Sequence, residues 1–315
     1  MKRAGVLLFA AVPVAVTASV CFLTPQQSDT GRAGPFGAHR SQPAENARDP
    51  LDAKARAEQP TPTPTPSASP QDDETPAGPP PGLDAPAEKE LAQQLVASAE
   101  NSTLEWRSAY AYIEDIGDGQ GYTAGLIGFC TGTHDLLTLV ERYTKDHPGN
   151  GLAAYLPALR AVDGSDSHEG LDPGFTAAWK AEASLPAFQK AQDTERDRVY
   201  FDPAVRLAKL DGLGALGQFV YYDAMVFHGP GTDAGSFYGL RARALEQADS
   251  PAEGGSEKAY LNAFLDVRRA AMKTRKADID TSRVDTAQRW FLNEGNLHLT
   301  PPLEWQVYGE TYRVP

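Results

Sequence analysis

A chain of 315 residues with 42 Asp and Glu against 29 Lys and Arg carries a formal charge of −13. Such acidity repels nucleic acid and anionic membrane and favours a cationic partner, although by itself it serves solubility as readily. The six histidines are scattered, with no HExxH and no paired Cys/His spacing, so neither a metal site nor a cofactor is expected.

Residues 1–23 open on MKR and continue through an apolar run, the pattern of a secretory signal; an uncleaved N-terminal anchor is the alternative and the only membrane contact expected. Residues 24–84, with TPTPTPSASP at 61–70, have too little apolar surface to offset ordering entropy and read as a disordered linker. Globular composition begins at residue 85. The 231 residues from 85 to 315 hold 22 Lys and Arg against 33 Asp and Glu, a formal charge of −11. They can bury one large core or two lobes around a cleft. Only Cys21 and Cys130 occur. Cys21 is expected to leave with the signal, and Cys130, among the small and apolar neighbours GLIGFCTG, to stay an unpaired, buried and inert thiol.

Residues 85–101 put Leu91, Leu95 and Ala99 at helical spacing, so a helix should end near Glu100. Ser102 and Thr103 can cap a second helix carrying Leu104, Trp106, Ala109 and Tyr112. GDGQGYTAG then breaks the pattern and suits a short hairpin or irregular sheet. Helices are expected at 135–147, 152–162, 175–184 and 188–201. A long apolar pattern over 203–229 suggests one central helix, buried on most sides in its second half. Further helices are expected at 236–248, 256–274 and 284–294, before an irregular Pro-rich and aromatic tail. The fold class is mainly α with one small β segment.

Several chemistries lack their residues. DIGDGQG has Gly117 where a calcium loop needs an oxygen ligand, GDGQG lacks the Lys and Ser/Thr of a phosphate loop, and no GxSxG elbow occurs. What remains is a pair of acids in different surroundings. Glu100 ends an apolar helix, where partial burial would keep a proton on it, and Asp118 sits in a glycine-rich turn, where N–H groups and solvent would keep it ionised. One protonated and one ionised carboxyl across a cleft can hydrolyse a glycosidic bond. Acids at a helix end and in a turn are more often merely solvated, and pattern alone leaves both readings open.

The stretch SAENSTLEWRSAYAYIEDIGDGQGYTAGLIGFCTGTHDLL closely resembles the N-terminal segment of secreted bacterial chitosanases of glycoside hydrolase family 46. The likeness continues through PGNGLAAYLPAL, ERDRVYFDPAVRLAKLDGLGALGQFVYYDAMVFHGPG, YLNAFLDVRRAAM, DTSRVDTAQRWFL and PPLEWQVYG, nearly all of 85–315. The resemblance implies a two-lobed, lysozyme-like fold with a small β segment lining a central cleft. It also implies inverting endo-hydrolysis of chitosan, a polycationic polysaccharide, by an extracellular enzyme expected to be a monomer. By position, Glu100 matches the general acid and Asp118 the general base. Thr123 matches the residue that helps place the attacking water, and Asp135 a substrate-binding acid. Asp223, Arg268 and Arg283 match a buried charged cluster behind the catalytic acid, a pairing that burial would demand in any case.

Two departures stand out. Gln120 occupies a position where a relative carries a basic residue, and KTRKADI at 273–279 is more basic than the rim of a polycation-binding cleft should be. Trp106, Trp179 and Trp305 can stack on sugars or pack in the core, and the helical position of Trp106 favours the core. Glu114 and Asp115 are expected at a helix end or behind the site, with the tyrosines anchoring strand edges. Two alternatives remain: a lysozyme-like muramidase or lytic transglycosylase acting on peptidoglycan, and a non-catalytic sugar-binding module on a linker.

Overall fold

The computed structural model describes residues 82–315. The expectations for 1–23 and for 24–81 lie outside the described residues. Packing begins at Leu83, which is fully buried; its N–H donates to Gln218 Oε1 at 2.8 Å, and Asp84 beside it pairs with Lys209 at 2.6 Å.

Helix α1 spans Pro86–Glu100. Pro86 occupies its first turn, where a missing N–H is harmless, and Leu91, Leu95 and Ala99 form the expected buried face. The helix stops where Ser102 turns to a φ of +51° and the Thr103 N–H reaches back to Ala97 O at 3.4 Å, closing off the last turn. Glu100 is thereby left at a chain reversal. The following segment is a 3₁₀ helix, Trp106–Ala111, shorter than the expected α-helix. Thr103 Oγ1 accepts the Glu105 N–H at 3.0 Å, a local turn that competes with helix initiation.

A three-stranded antiparallel sheet follows, ordered β1 (Ile113–Asp115), β2 (Tyr122–Ala124), β3 (Phe129–Cys130). Its register sets Glu114 opposite Thr123 and Thr123 opposite Cys130. Glu114 and Asp115 are therefore strand residues and not a helix end. Cys130 is fully buried, but it is not the unpaired thiol expected: it is disulfide-bonded, and its pairing lies outside the described residues.

The helices α2 (Asp135–Asp146), α3 (Leu156–Val162), α4 (Phe175–Ala183) and α5 (Pro186–Arg196) fall where expected. α5 runs on through a π-helical turn, Asp197–Phe201. The single central helix expected over 203–229 is instead two, α6 (Asp202–Leu210) and α7 (Ala215–His228), split at Asp211–Gly214. The split has two causes. Gly212 takes a φ of +78°, where an added Cβ would lie 3.0 Å from the Ala252 nitrogen, and Asp211 is tied to Tyr221 Oη and Arg241 Nε, each at 2.7 Å. All fourteen residues of α7 are buried.

Helices α8 (Phe237–Leu245) and α9 (Glu257–Arg275) come next, then a π-helical turn at Arg283–Gln288 and α10 (Arg289–Asn293). The tail is not irregular: β4 (Leu303–Val307) and β5 (Glu310–Val314) form a second hairpin. In β4, buried Leu303, Trp305 and Val307 alternate with exposed Glu304 and Gln306, a period-two pattern that the flanking prolines hide.

The architecture is mainly α, with the elements in two packing groups. One group joins the three-stranded sheet to α2–α5; the other joins α6–α10 to the terminal hairpin, and the 197–201 turn links them. Helix α1 is tied to the second group by Tyr222 Oη–Gln93 Oε1 at 3.0 Å and by Trp305 Nε1–Ser98 Oγ at 3.0 Å.

Trp305 thus clamps the hairpin onto the helix that ends in Glu100. Replacing it with Ala removes a fully buried indole and one hydrogen bond, and should destabilise the fold by about 3–5 kcal/mol in equilibrium urea unfolding. A loss below about 1 kcal/mol would show that the hairpin does not hold α1.

Candidate active site

Glu100, at the end of α1, meets a cluster assembled from three other elements. Arg283 Nη2 lies 2.6 Å from Glu100 Oε1 and 2.7 Å from Asp223 Oδ1, so one nitrogen is shared between two carboxylates. Arg268, from α9, reaches Asp223 Oδ2 at 2.7 Å, and Gln288 Nε2 donates to the same oxygen at 2.6 Å. Gln288 Oε1 in turn accepts from Arg268 Nη1 at 2.9 Å. Two carboxyl groups and two guanidiniums are buried together, and acidic partners for both guanidiniums are what makes their desolvation tolerable.

The backbone explains how the cluster closes. Arg283 and Gln288 are five residues apart, and the π-helical turn puts them side by side, which α-helical spacing would not. Sequence spacing does not reveal Gln288 for that reason. Phe227, on α7, covers the cluster, its ring centroid 4.6 Å from the Arg283 guanidinium carbon and 5.8 Å from that of Arg268. His228 beside it is a second residue that no sequence pattern singles out. Burial, reinforced by the cations of Arg268, Arg283 and Arg275, holds its pKa well below the usual histidine value. The neutral ring donates Nδ1–H to Gly235 O at 2.8 Å.

Burial alone would raise the Asp223 pKa, but Arg283 and Arg268 outweigh it and bring it down to about 2. Glu100 is also less apolar in its surroundings than its position on α1 suggests, since Arg283 touches it directly.

Asp118 belongs to the other packing group. It stands in the β1–β2 loop between Gly117 and Gly119, whose φ angles of +72° and +83° let the chain project an exposed carboxyl. Its Oδ1 accepts the Gln120 N–H at 3.1 Å. The expected low pKa is not what the structure produces. Partial desolvation pushes it up, backbone N–H bonds oppose that, Asp115 adds to the rise and Arg275 opposes it, with a net shift above the usual carboxylate value.

Thr123 lies on β2, just past that loop. Its side chain is buried, with Oγ1 3.2 Å from Cys130 Sγ, so the hydroxyl also ties β2 to β3. Asp135 opens α2. Its Oδ1 accepts from Cys130 N, Leu136 N and Thr133 Oγ1 at 2.8, 2.9 and 2.7 Å, while Oδ2 takes only the Tyr200 hydroxyl at 3.3 Å. Burial raises its pKa against those donors. Tyr122 does anchor a strand edge, its hydroxyl on Asp172 at 2.6 Å and its ring stacked on His168 at 4.0 Å. The three tryptophans belong to the core: Trp179 Nε1 donates to Tyr110 O at 3.1 Å, Trp106 Nε1 to Glu90 Oε1 at 2.9 Å, and Trp305 to Ser98.

An acid set in a buried charged cluster at the end of one helix, and a second acid on a glycine loop of the other group, form the frame of the candidate site. Residues 94–303 match the sequence profile of glycosyl hydrolase family 46. The chain belongs to that family. It is 62% identical over 233 residues to the chitosanase of Streptomyces sp. (strain N174), an alignment covering 74% of this chain and 84% of that one. With the chitosanase of Bacillus subtilis (strain 168) it shares 41% over 228 residues, 69% of this chain and 80% of the other. Among solved structures, a co-crystal of chitosanase OU01 with substrate superposes at a TM-score of 0.73 with 54% identity, covering 74% of this chain and 99% of that one. The mainly α, lysozyme-like architecture is that of family 46, and the chain is a glycoside hydrolase.

In this family 46 chain the Asp223 cluster should make stability depend on acidity in a definite window. The folded pKa is depressed from an ordinary value of 3.8 to about 2, so the contribution is fully present above the unfolded value and is lost as pH falls through the folded one. Asp223→Asn should cost about 3–5 kcal/mol at pH 6, because two buried guanidiniums lose their counter-charge. Urea unfolding should show the gap between wild type and variant narrowing from pH 4 towards pH 2; a gap independent of pH would contradict the assignment.

Proposed function

We propose that this chain is a secreted, monomeric endo-chitosanase that cleaves β-1,4 linkages between glucosamine units by an inverting mechanism. Glu100 is the general acid and Asp118 the general base. Supporting the reading are the placement of two carboxyls on separate packing groups and the likeness to chitosanases over about three quarters of the chain. The observation that carries it is Arg283 shared between Glu100 and Asp223, because it gives a helix-end glutamate a fixed orientation.

Inversion needs a water between the carboxyls, which requires a separation of roughly 6.5–9.5 Å. Glu100 protonates the leaving oxygen while Asp118 takes a proton from water attacking the opposite face of the sugar. Thr123, immediately behind the loop, restricts the approach of that water. Arg283 then holds the carboxylate that Glu100 becomes, sharing the charge with Asp223, so the product state of the acid is stabilised without any large rearrangement. Asp135 contributes to substrate choice through Oδ2, the oxygen with the smaller internal load, by accepting a glucosamine ammonium. A formal charge of −11 over residues 85–315 favours the same polycation and disfavours a peptidoglycan strand bearing carboxylates. The first 23 residues direct export, and the linker from residue 24 tethers or trails from the catalytic domain, ending before Leu83 and not at residue 84, because Leu83 and Asp84 are packed into the domain.

Glu100→Gln and Asp118→Asn should each lower kcat on chitosan by about 10²–10⁴-fold while binding persists. NMR of early products should show the α-anomer first, and an initial β-anomer would replace the inverting reading with a covalent one. Lysis of bacterial walls in preference to chitosan would promote the muramidase reading.

Because the Asp118 pKa is raised, the acid limb of kcat/KM should lie above the ordinary carboxylate value of 3.8, with activity falling as the base is protonated. A limb at or below that value would argue against Asp118 as the base.

A further inference from the structure

The loop that presents Asp118 is exposed over residues 117–119, and its internal hydrogen bonds are short-range. Asp115 Oδ1 accepts the Gly117 N–H at 2.8 Å and Asp118 Oδ1 the Gln120 N–H at 3.1 Å. Turns that join residues two apart shape a loop without aiming it. On the return side, Gln120 O accepts the Gly132 N–H at 2.9 Å and the Tyr122 N–H donates to Thr131 Oγ1 at 3.1 Å. On the outgoing side the β1–β2 ladder ends at the pair Asp115 and Tyr122, which stand opposite each other at the neck of the loop.

Both neck residues are met by one short segment between α3 and α4. His168 Nε2 lies 3.2 Å from Asp115 Oδ2, and its Nδ1 lies 3.4 Å from Asp172 Oδ2. Nε2 is buried and has no aligned hydrogen bond among the described residues, so the Asp115 carboxylate, at ion-pair distance, is what compensates it. The Tyr122 ring stacks on the imidazole, 4.0 Å away and 10° from parallel, and its hydroxyl donates to Asp172 Oδ1 at 2.6 Å. Burial, with Asp172 and Asp115 adding to it, pushes the Tyr122 pKa up to about 12, so that donor keeps its proton. The segment can grip because it is itself fixed. Ahead of it the Gly164 N–H donates to Thr131 O at 3.0 Å, and behind it Leu171 and Phe175 are fully buried. It also runs close against the loop, where a Cβ added at Gly121 would stand 3.2 Å from Ser165 O. A flat ring with a nitrogen on each side reaches two carboxylates while its face stacks on Tyr122, a combination that neither Phe nor Lys supplies.

We propose that His168 is a positioning residue for Asp118: with Asp172 it clamps Asp115 and Tyr122, the neck of the β1–β2 loop, and so fixes where that loop delivers its carboxylate. The proposal rests on the reading of Asp118 as the base. His168 acts through Asp115 and touches neither acid of the reaction. Its loss therefore displaces the base from the attacking water, which lowers turnover and leaves binding of the polymer in place.

The test compares full-length wild type, His168→Phe and His168→Gln by steady-state kinetics on chitosan and by ¹⁵N order parameters of the loop amides. His168→Phe keeps a ring against Tyr122 and removes both nitrogens, whereas His168→Gln keeps a polar group that can reach Asp115. His168→Phe should lower kcat about 10-fold with KM within about 2-fold of wild type, since a misplacement near 1 Å can cost up to about 100-fold. The order parameters of Gly117, Asp118 and Gly119 should fall by about 0.1–0.2, with those of α7 unchanged. His168→Gln should recover most of both losses. In an Asp115→Asn background His168→Phe should add little, because residues that act through one contact are not additive. Unchanged loop order parameters in His168→Phe overturn the proposal, as do strictly additive effects with Asp115→Asn or a rise in KM that accounts for the whole loss. A loosened loop with unchanged kcat leaves the clamp standing and removes Asp118 from the base role, so the two readings fail separately.

Discussion

Arg283 is the constraint on which the site depends. Its guanidinium is buried, and a buried guanidinium without counter-charge is among the most expensive groups a fold can contain. Asp223 supplies that charge from the middle of α7, the most deeply buried helix, and Arg268 with Gln288 satisfies the rest of the Asp223 carboxylate. Once those four side chains are in place, the remaining face of Arg283 is met by Glu100. The position of the acid is thus set by the core and not by α1 alone. Elements distant in sequence, residues 100, 223, 268, 283 and 288, must close together, and the clamp of Trp305 on Ser98 brings α1 to the same place from its other side.

Much of this is legible in the sequence because helix spacing and charge burial leave strong traces. The face of Leu91, Leu95 and Ala99 locates α1 and its end, and a charged Asp223 inside an apolar run demands a partner on desolvation grounds alone. The selection of Glu100 and Asp118 is different. Carboxyls at a helix end and in a turn are ordinary, and only the long ordered likeness to family 46 distinguishes them. What is not legible depends on departures from regular periodicity. Arg283 and Gln288 share a face only through a π-helical turn, so a 3.6-residue pattern cannot join them. The break at Asp211–Gly214 is hidden because the apolar pattern resumes on the far side, while its cause is tertiary, the ties from Asp211 to Tyr221 and Arg241. The β4–β5 hairpin is obscured by prolines although its alternation is present in LEWQV.

The two acids are supported in opposite ways, and the difference fits the roles proposed for them. Glu100 is embedded at the junction of helix, π-turn and core, with its orientation imposed by a charged network in a water-poor setting. Under the proposed role of Glu100, preorganised charge in such a setting stabilises the carboxylate that remains after proton donation without waiting for solvent to reorganise. Asp118 is exposed, on a loop whose glycines have left-handed φ angles, and is restrained by the Gln120 backbone N–H. In the proposed mechanism, a base that accepts a proton from a water and then returns it to solvent gains from access more than from rigidity.

In the proposed mechanism Asp118 must be ionised to activate water, and its surroundings pull both ways. Desolvation and Asp115 raise its pKa, while the backbone N–H groups of Gln120 and of Asp118 itself oppose the rise, with a net shift upward. Attraction of a polycationic polymer has a different origin, because long-range attraction is a sum over the whole surface, whereas ionisation of Asp118 responds to the nearest few groups. Short range and long range are thus served by different residues: the 33 acids of residues 85–315 favour a polycation, and the groups of the β1–β2 loop act on Asp118.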